Sequence, residues 1–206
     1  TSQRPLTYSK FRFLRRPLPD SNDEMIRHYT LSEADLSLIR QRRGDANRLG
    51  FAVQLCLLRH PGQGLLPESS VPVVLLHWVG RQLRTDPMCW SQYAEREETR
   101  REHLLELRAY LCVEPFGLAH YKQAVHATTE LAMQSDQGVV LAANLLDALR
   151  HQRIIIPILD VIERVCAEAI TRANRRIYAA LSEQLSDTHR HRLDDLLKRR
   201  DNSKTT

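Results

Sequence analysis

The sequence is poor in lysine, in glycine and in aromatic residues. Lys10, Lys122, Lys198 and Lys204 are the only lysines among 30 basic residues, so arginine supplies nearly all of the positive charge. A guanidinium presents a planar fork that grips phosphate or guanine through two hydrogen bonds, which an ammonium cannot do. Only 7 glycines occur in 206 residues, and strand formers rarely alternate with polar residues. That pattern speaks against a sheet protein and for helices throughout. Long apolar runs are missing. The longest candidate, residues 154–158, falls far short of the roughly 20 residues needed to span a bilayer. No secretory leader opens the chain.

Paired cysteines are missing too. Cys56, Cys89, Cys112 and Cys166 stand far apart, with no histidine spacing that suggests zinc, and read as small buried hydrophobes in a reducing compartment. There is no phosphate-cradling glycine loop and no nucleophile elbow. His189 and His191 are separated by one residue, so on a helix they point about 200° apart and make poor co-ligands. Asp194-Asp195 and the pair Asp160 and Glu163 read as surface acids. No catalytic residue, metal site, cofactor or small-molecule ligand is expected in this chain.

What is present is an ordinary globular composition, 42% hydrophobic and 27% charged, with a net charge of +5 and a pI near 9.2. The chain is long enough for one domain or two small ones. Residues 1–20 mix arginine, proline and aromatics and read as an arm or strap. Ser32, with Asp35 three residues on, caps a helix that carries Leu36 and Ile39 inward and ends at Gly44. Asp45 caps the next helix, which is apolar nearly all round to Arg59 and therefore sandwiched. Helices are expected over 71–83, around Trp90 and Tyr93, and over 95–112, the last mainly a solvated, pair-stabilised face. Further helices follow over 116–135, 138–150 and 157–181, the last with a stripe of Ile158, Ile162, Val165, Ala169, Ala173 and Ile177. Ser186-Asp187 caps a final helix, and 201–206 reads as the start of a linker.

Three arginine groups stand out. Arg42, Arg43, Asn47 and Arg48 sit at a tight junction between two helices, where a helix-turn-helix offers its first turn to base edges and its amide dipoles to phosphate. The apolar body of the following helix leaves only that first turn for DNA; a cap and salt-bridge network around Asp45 is the alternative. Arg100 and Arg101 lie among Glu97, Glu98, Glu102 and Glu106, so intrahelical pairing competes with DNA contact. Arg172, Arg175 and Arg176 form either a phosphate-tracking stripe or a solvated face.

The strings Arg42-Arg43-Gly44-Asp45-Ala46-Asn47-Arg48-Leu49-Gly50-Phe51, Thr99-Arg100-Arg101-Glu102-His103 and Ala173-Asn174-Arg175-Arg176-Ile177 resemble the start of transposases of the Tn-three family, the class II replicative transposons. The resemblance runs over nearly the whole chain from about residue 22. It implies the amino-terminal region of a large cytoplasmic, nucleoid-associated bacterial enzyme, a region that binds terminal inverted repeats. An acidic triad and divalent metal would lie in a distant RNase H-like domain outside this chain.

The expectation is thus an all-α chain with a helical DNA-binding subdomain over 21–115, holding a helix-turn-helix-like element, and a second helical subdomain over 116–200. The expected partners are double-stranded DNA at transposon ends and other transposase subunits, with no membrane. The proposed contacts are Arg42, Arg43, Asn47, Arg48, Arg100, Arg101, Arg172, Arg175 and Arg176. A helical module that assembles subunits, and a truncated relative that competes in transposition, are the rival readings.

Overall fold

The structure, a computed structural model, describes residues 22–65, 71–94, 97–183 and 186–202. The arm expected over 1–20 lies outside these residues. Among them the chain is all-α, with no strand. The helices are α1 (Asn22–Tyr29), α2 (Glu33–Arg40), α3 (Asp45–Arg59), α4 (Val73–Leu83), α5 (Trp90–Ala94), α6 (Glu97–Leu111), α7 (Leu118–Ala132), α8 (Gly138–His151), α9 (Leu159–Glu183) and α10 (Asp187–Asn202). A 3-10 turn, Pro87–Cys89, leads into α5. None of these helices is long and apolar enough to cross a membrane.

Local sequence sets most of these limits. Ser32 Oγ accepts from the Asp35 amide at 3.2 Å, and Asp35 returns the favour to the Ser32 amide at 2.8 Å, a reciprocal cap that satisfies two donors at the start of α2. The helix stops at Arg40, before Gly44. Gly44 adopts φ +77°, a left-handed value that suits glycine, and it occupies the cap position of α3. Asp45 is therefore the first helical residue rather than the cap, and it faces Arg48 at 3.8 Å.

Helix α3 is the axis of a first core. Leu49, Phe51, Ala52, Val53, Leu55 and Cys56 are fully enclosed, with α1, α2, α4, α5 and α6 packed around them. Trp78 is half-buried against this core. Burial pushes the Cys56 thiol up to about 12 and the Cys166 thiol likewise, so both stay protonated. Cys112, by contrast, is exposed, at the left-handed residue that follows α6, and all four thiols are free.

A second core lies between α7, α8 and α9, where Val125, Leu141, Leu145, Leu149, Ile162, Val165 and Cys166 meet. Ala124, Ala169 and Ala173 let α7 and α9 approach closely. The Tyr121 hydroxyl donates to Glu168 at 2.7 Å and Arg176 donates to Glu130 at 2.6 Å, so the two helices run parallel. Of the predicted α9 stripe, Ile162, Val165, Ala169 and Ala173 are buried, while Ile158 is exposed and Ile177 half-buried. Beyond Ala173 the helix leaves the core.

The two cores are stitched by backbone. The Ile155 amide donates to the Glu114 carbonyl at 2.8 Å, the Glu114 amide to Arg153 at 2.9 Å, and the Ile156 amide to Gly62 at 2.9 Å. Successive side chains of this extended stretch point to opposite sides. Ile154 and Ile156 accordingly enter the second core while Ile155 packs on the first.

Candidate nucleic-acid interface

The α2–α3 junction is built around a buried carboxylate. Asp35 has no exposed surface, yet it accepts from Arg59 at 2.7 and 3.1 Å, from Tyr110 at 2.9 Å and from the Ser32 amide. Burial alone would raise its pKa; the Arg59, Ser32 and Tyr110 hydrogen bonds outweigh that and hold it at about 2. One side chain thereby pins α2, α3 and α6 together. The pairing raises the Arg59 pKa in turn, so both charges persist.

Four predicted contacts gather at this junction, and three of them are engaged internally. Arg42 grips Glu106 of α6 with both terminal nitrogens, at 2.6 and 2.9 Å, and lies 4.9 Å over the Phe51 ring. Its side chain is only 18% exposed, so a phosphate would have to displace a bidentate partner from a nearly closed site. Arg48 Nε donates to the Arg42 carbonyl at 3.0 Å, and Asn47 donates to the Arg43 carbonyl at 2.9 Å. These two bonds shape the turn. Arg43 itself is exposed, and its guanidinium has no partner among the described residues; Arg40, one residue before the turn, is exposed in the same way.

At the start of α6, Arg100 is half-buried and its carbonyl accepts from Gln54 at 3.1 Å. Gln54 also donates to the Tyr93 hydroxyl, which in turn lies 3.1 Å from His103 Nδ1. Burial, with Arg42 nearby, lowers the His103 pKa to about 4. The imidazole is therefore neutral at pH 7, with Nδ1 accepting from Tyr93. This inner face of α6 departs from the expected solvated helix. Arg101 pairs with Glu97 at 3.2 Å in full exposure, a contact of about 0–1 kcal/mol that a phosphate can replace.

On α9, Arg172 pairs with Glu168 at 2.6 Å and Arg176 with Glu130 at 2.6 Å. Both arginines are about half exposed, and Arg175 between them is exposed with no described partner. No described hydrogen bond or ion pair joins this group to the α2–α3 turn. The structure thus keeps the α2–α3 and α6 groups in the first half and the α9 group in the second, with Arg43 and Arg175 exposed and without a described side-chain partner.

Sequence reasoning passed over α4. Residues 69–85 contain no aspartate or glutamate, and Arg81 and Arg84 are exposed. The signal was an absence of acids, which a search for dense basic clusters does not register. Among the described residues no group of three His, Cys, Asp or Glu side chains could hold a metal ion.

Comparison with known proteins fixes the family. Residues 6–169 match a family model described as Domain of unknown function (DUF4158). The chain is 56% identical over 189 residues to the transposase for transposon Tn501 of Pseudomonas aeruginosa, covering 92% of this chain and 19% of that protein. The transposases for transposons Tn3926 and Tn21 of Escherichia coli are each 59% identical over the same shares. The chain therefore spans about a fifth of the length of the curated relatives it matches. It belongs to the DUF4158 family, as the segment that transposases of the Tn-three family carry.

Proposed function

We propose that this chain is the end-recognition segment of a transposase: an amino-terminal, non-catalytic helical region that binds the terminal inverted repeats of its transposon in the bacterial cytoplasm. Strand cleavage and transfer, with their divalent metal, belong on this reading to a domain outside the chain. The observation that carries it is the extended identity to proteins named as transposases, together with guanidinium groups left unpaired in both halves. A transposase must hold its own ends, and exposed arginines are the groups that hold a polyanion.

The nine residues divide into roles on this reading. Arg43 and Arg175 contact DNA directly. Arg101, Arg172 and Arg176 exchange exposed carboxylates for phosphates. Arg100 joins them at the start of α6. Arg42, Asn47 and Arg48 act by holding the turn that presents Arg43. The helix-turn-helix comparison extends to α2, the turn and the first turn of α3 only, since the rest of α3 is enclosed. The two DNA-contacting subdomains correspond to 21–115 and 116–200.

Fluorescence anisotropy with a duplex carrying the terminal inverted repeat, a scrambled duplex and two salt concentrations tests the proposal. The expected result is tighter binding to the repeat at the higher salt, with a steep salt slope on the scramble. Arg43→Ala and Arg175→Ala should each reduce that slope by about one. Equal affinity for both duplexes, or none for either, refutes it.

One observation favours a second reading, a helical module that assembles transposase subunits. Tyr178, Leu181, Leu193 and Leu196, on the free end of α9 and on α10, are 68%, 57%, 47% and 62% exposed. Self-association in sedimentation experiments without DNA affinity would establish that reading.

A further inference from the structure

Helix α4 divides into a buried face and an exposed face that carries no acid. Leu75, Leu76, Val79 and Gly80 are buried against α3 and the Pro87 turn. Val73, Val74, His77, Arg81 and Arg84 are exposed. At 100° per residue Val73, Val74, His77 and Arg81 fall on one side of the helix, and Arg84 is the left-handed residue that ends it. The sequence along this face changes in order, from two valines, 65% and 63% exposed, through a histidine to two arginines.

No acid interrupts it. The next one in the chain, Asp86, is turned to the 3-10 segment, where it accepts from the Met88 amide at 2.9 Å. The side chains of His77, Arg81 and Arg84 have no hydrogen bond or ion pair among the described residues, whereas Arg42, Arg101, Arg172 and Arg176 all hold a carboxylate. Pro72 occupies the cap position and supplies no side-chain acceptor, so the first-turn amides of Val73 and Val74 are unclaimed by described residues.

An exposed apolar pair would suit a protein partner, but a far end with two guanidinium groups that hold no described carboxylate selects a polyanion. From Val73 to Leu83 the helix runs about 15 Å, at ~1.5 Å per residue. A major groove about 12 Å wide admits such a helix edge-on. Valine methyl groups match the thymine 5-methyl, and an arginine fork matches O6 and N7 of guanine. First-turn amides that no described residue claims match a backbone phosphate.

Resting on the end-recognition reading, we propose that α4 is the helix that enters the DNA major groove. Val73 and Val74 meet thymine methyls, His77 and Arg81 read base edges, and Arg84 with the first-turn amides grips the flanking phosphates. Base reading then belongs mainly to α4, and the α2–α3 turn with Arg43 serves as a backbone anchor. The buried body of α3 is no obstacle on this arrangement, because α3 supports α4 from behind.

The test combines a protein variant with a DNA variant. Arg81→Ala and His77→Ala are made in the full chain; both side chains are exposed, and unchanged helical circular dichroism will verify folding. Affinity is measured by anisotropy for the terminal repeat, a scramble, and a repeat whose guanines are replaced in turn by 7-deazaguanine, which removes the major-groove N7 acceptor. The expected result is a loss of preference for the repeat over the scramble of about tenfold with Arg81→Ala. One 7-deazaguanine position should weaken the unaltered protein by a similar factor and leave Arg81→Ala unaffected. If the unaltered chain prefers the repeat while both variants keep that preference and every 7-deaza position behaves alike in all three proteins, α4 is not the reading helix and the end-recognition proposal survives. Failure of the unaltered chain to prefer the repeat overturns both.

Discussion

Replacing Gly50 by alanine should destabilise this protein, although the same change in an exposed helix interior stabilises. Gly50 lies in the first half of α3, and a Cβ built on it would overlap the Tyr93 ring. Helix propensity alone favours alanine by about 1 kcal/mol. Against that, the ring cannot step aside cheaply. Its hydroxyl is held by Gln54 at 2.5 Å and by His103 at 3.1 Å, the ring stacks on His103 at 5.6 Å between centroids, and Tyr93 has no exposed surface. Overpacking a closed core costs about 1–3 kcal/mol, and each buried hydrogen bond broken by a shifted ring adds about 1 kcal/mol. The net expectation is a loss of about 2–4 kcal/mol, after the propensity gain is subtracted. Urea denaturation followed by far-ultraviolet circular dichroism reads it directly as a lower midpoint at unchanged slope. Adding Tyr93→Leu to Gly50→Ala should make the two changes less costly together than their separate losses summed, because the clash disappears with the ring. A midpoint that rises with Gly50→Ala, or strictly additive losses in the double variant, would refute the close approach of α3 and α5.

Three further expectations follow from the polar groups. Asp35→Asn keeps the shape of the α2 cap but leaves Arg59 without its counter-charge, and should cost about 3 kcal/mol in urea denaturation; Tyr110→Phe, which removes one of the donors to Asp35, should cost only about 1 kcal/mol. His103 is neutral in the fold, with a pKa near 4 against an ordinary 6.5, so the unfolded chain takes up its proton first as pH falls. Stability is then complete above pH 6.5 and declines toward pH 4 by about 3 kcal/mol, a slope that His103→Gln should flatten. Asp35 acts in the same direction but lower, its contribution being lost between pH 3.8 and about 2. Glu106→Gln should loosen Arg42, lower the melting temperature and weaken DNA binding alongside Arg43→Ala; unchanged binding would detach Arg42 from the presentation of that turn.

The helices were legible because their signals are local. Ser32 and Asp35 announce the start of α2, Gly44 and the His60-Pro61-Gly62 turn bracket α3, and the spacing of Leu141, Leu145 and Leu149 marks the inward face of α8. Gly44 still took the cap position expected of Asp45, since a glycine at φ +77° redirects the chain one residue earlier. Burial inside α6 was not legible. His103 and Leu107 make only a two-residue apolar line in a sequence dominated by Glu and Arg, so the charges set the pattern. The arginines were the least legible of all. Nothing near Arg42 in the sequence predicts that Glu106, 64 residues away, will hold it, nor that Arg59 will reach back to the cap of α2. An arginine's availability is decided by tertiary neighbours, and a sequence shows only its density.

The three backbone hydrogen bonds that join residues 62, 114 and 153–156 have a consequence for spacing. The second core is connected to the first both through the chain at residue 114 and through this returning stretch, so it is held at two points rather than swinging on one. A duplex that touches Arg43 in one half and Arg175 in the other would meet contacts at a fixed distance and a fixed angle around its axis. Such a protein measures phase as well as sequence. Inserting about five base pairs between the two contacted stretches turns the second by half a helical turn, away from its arginine, whereas about ten restore the angle but exceed the reach.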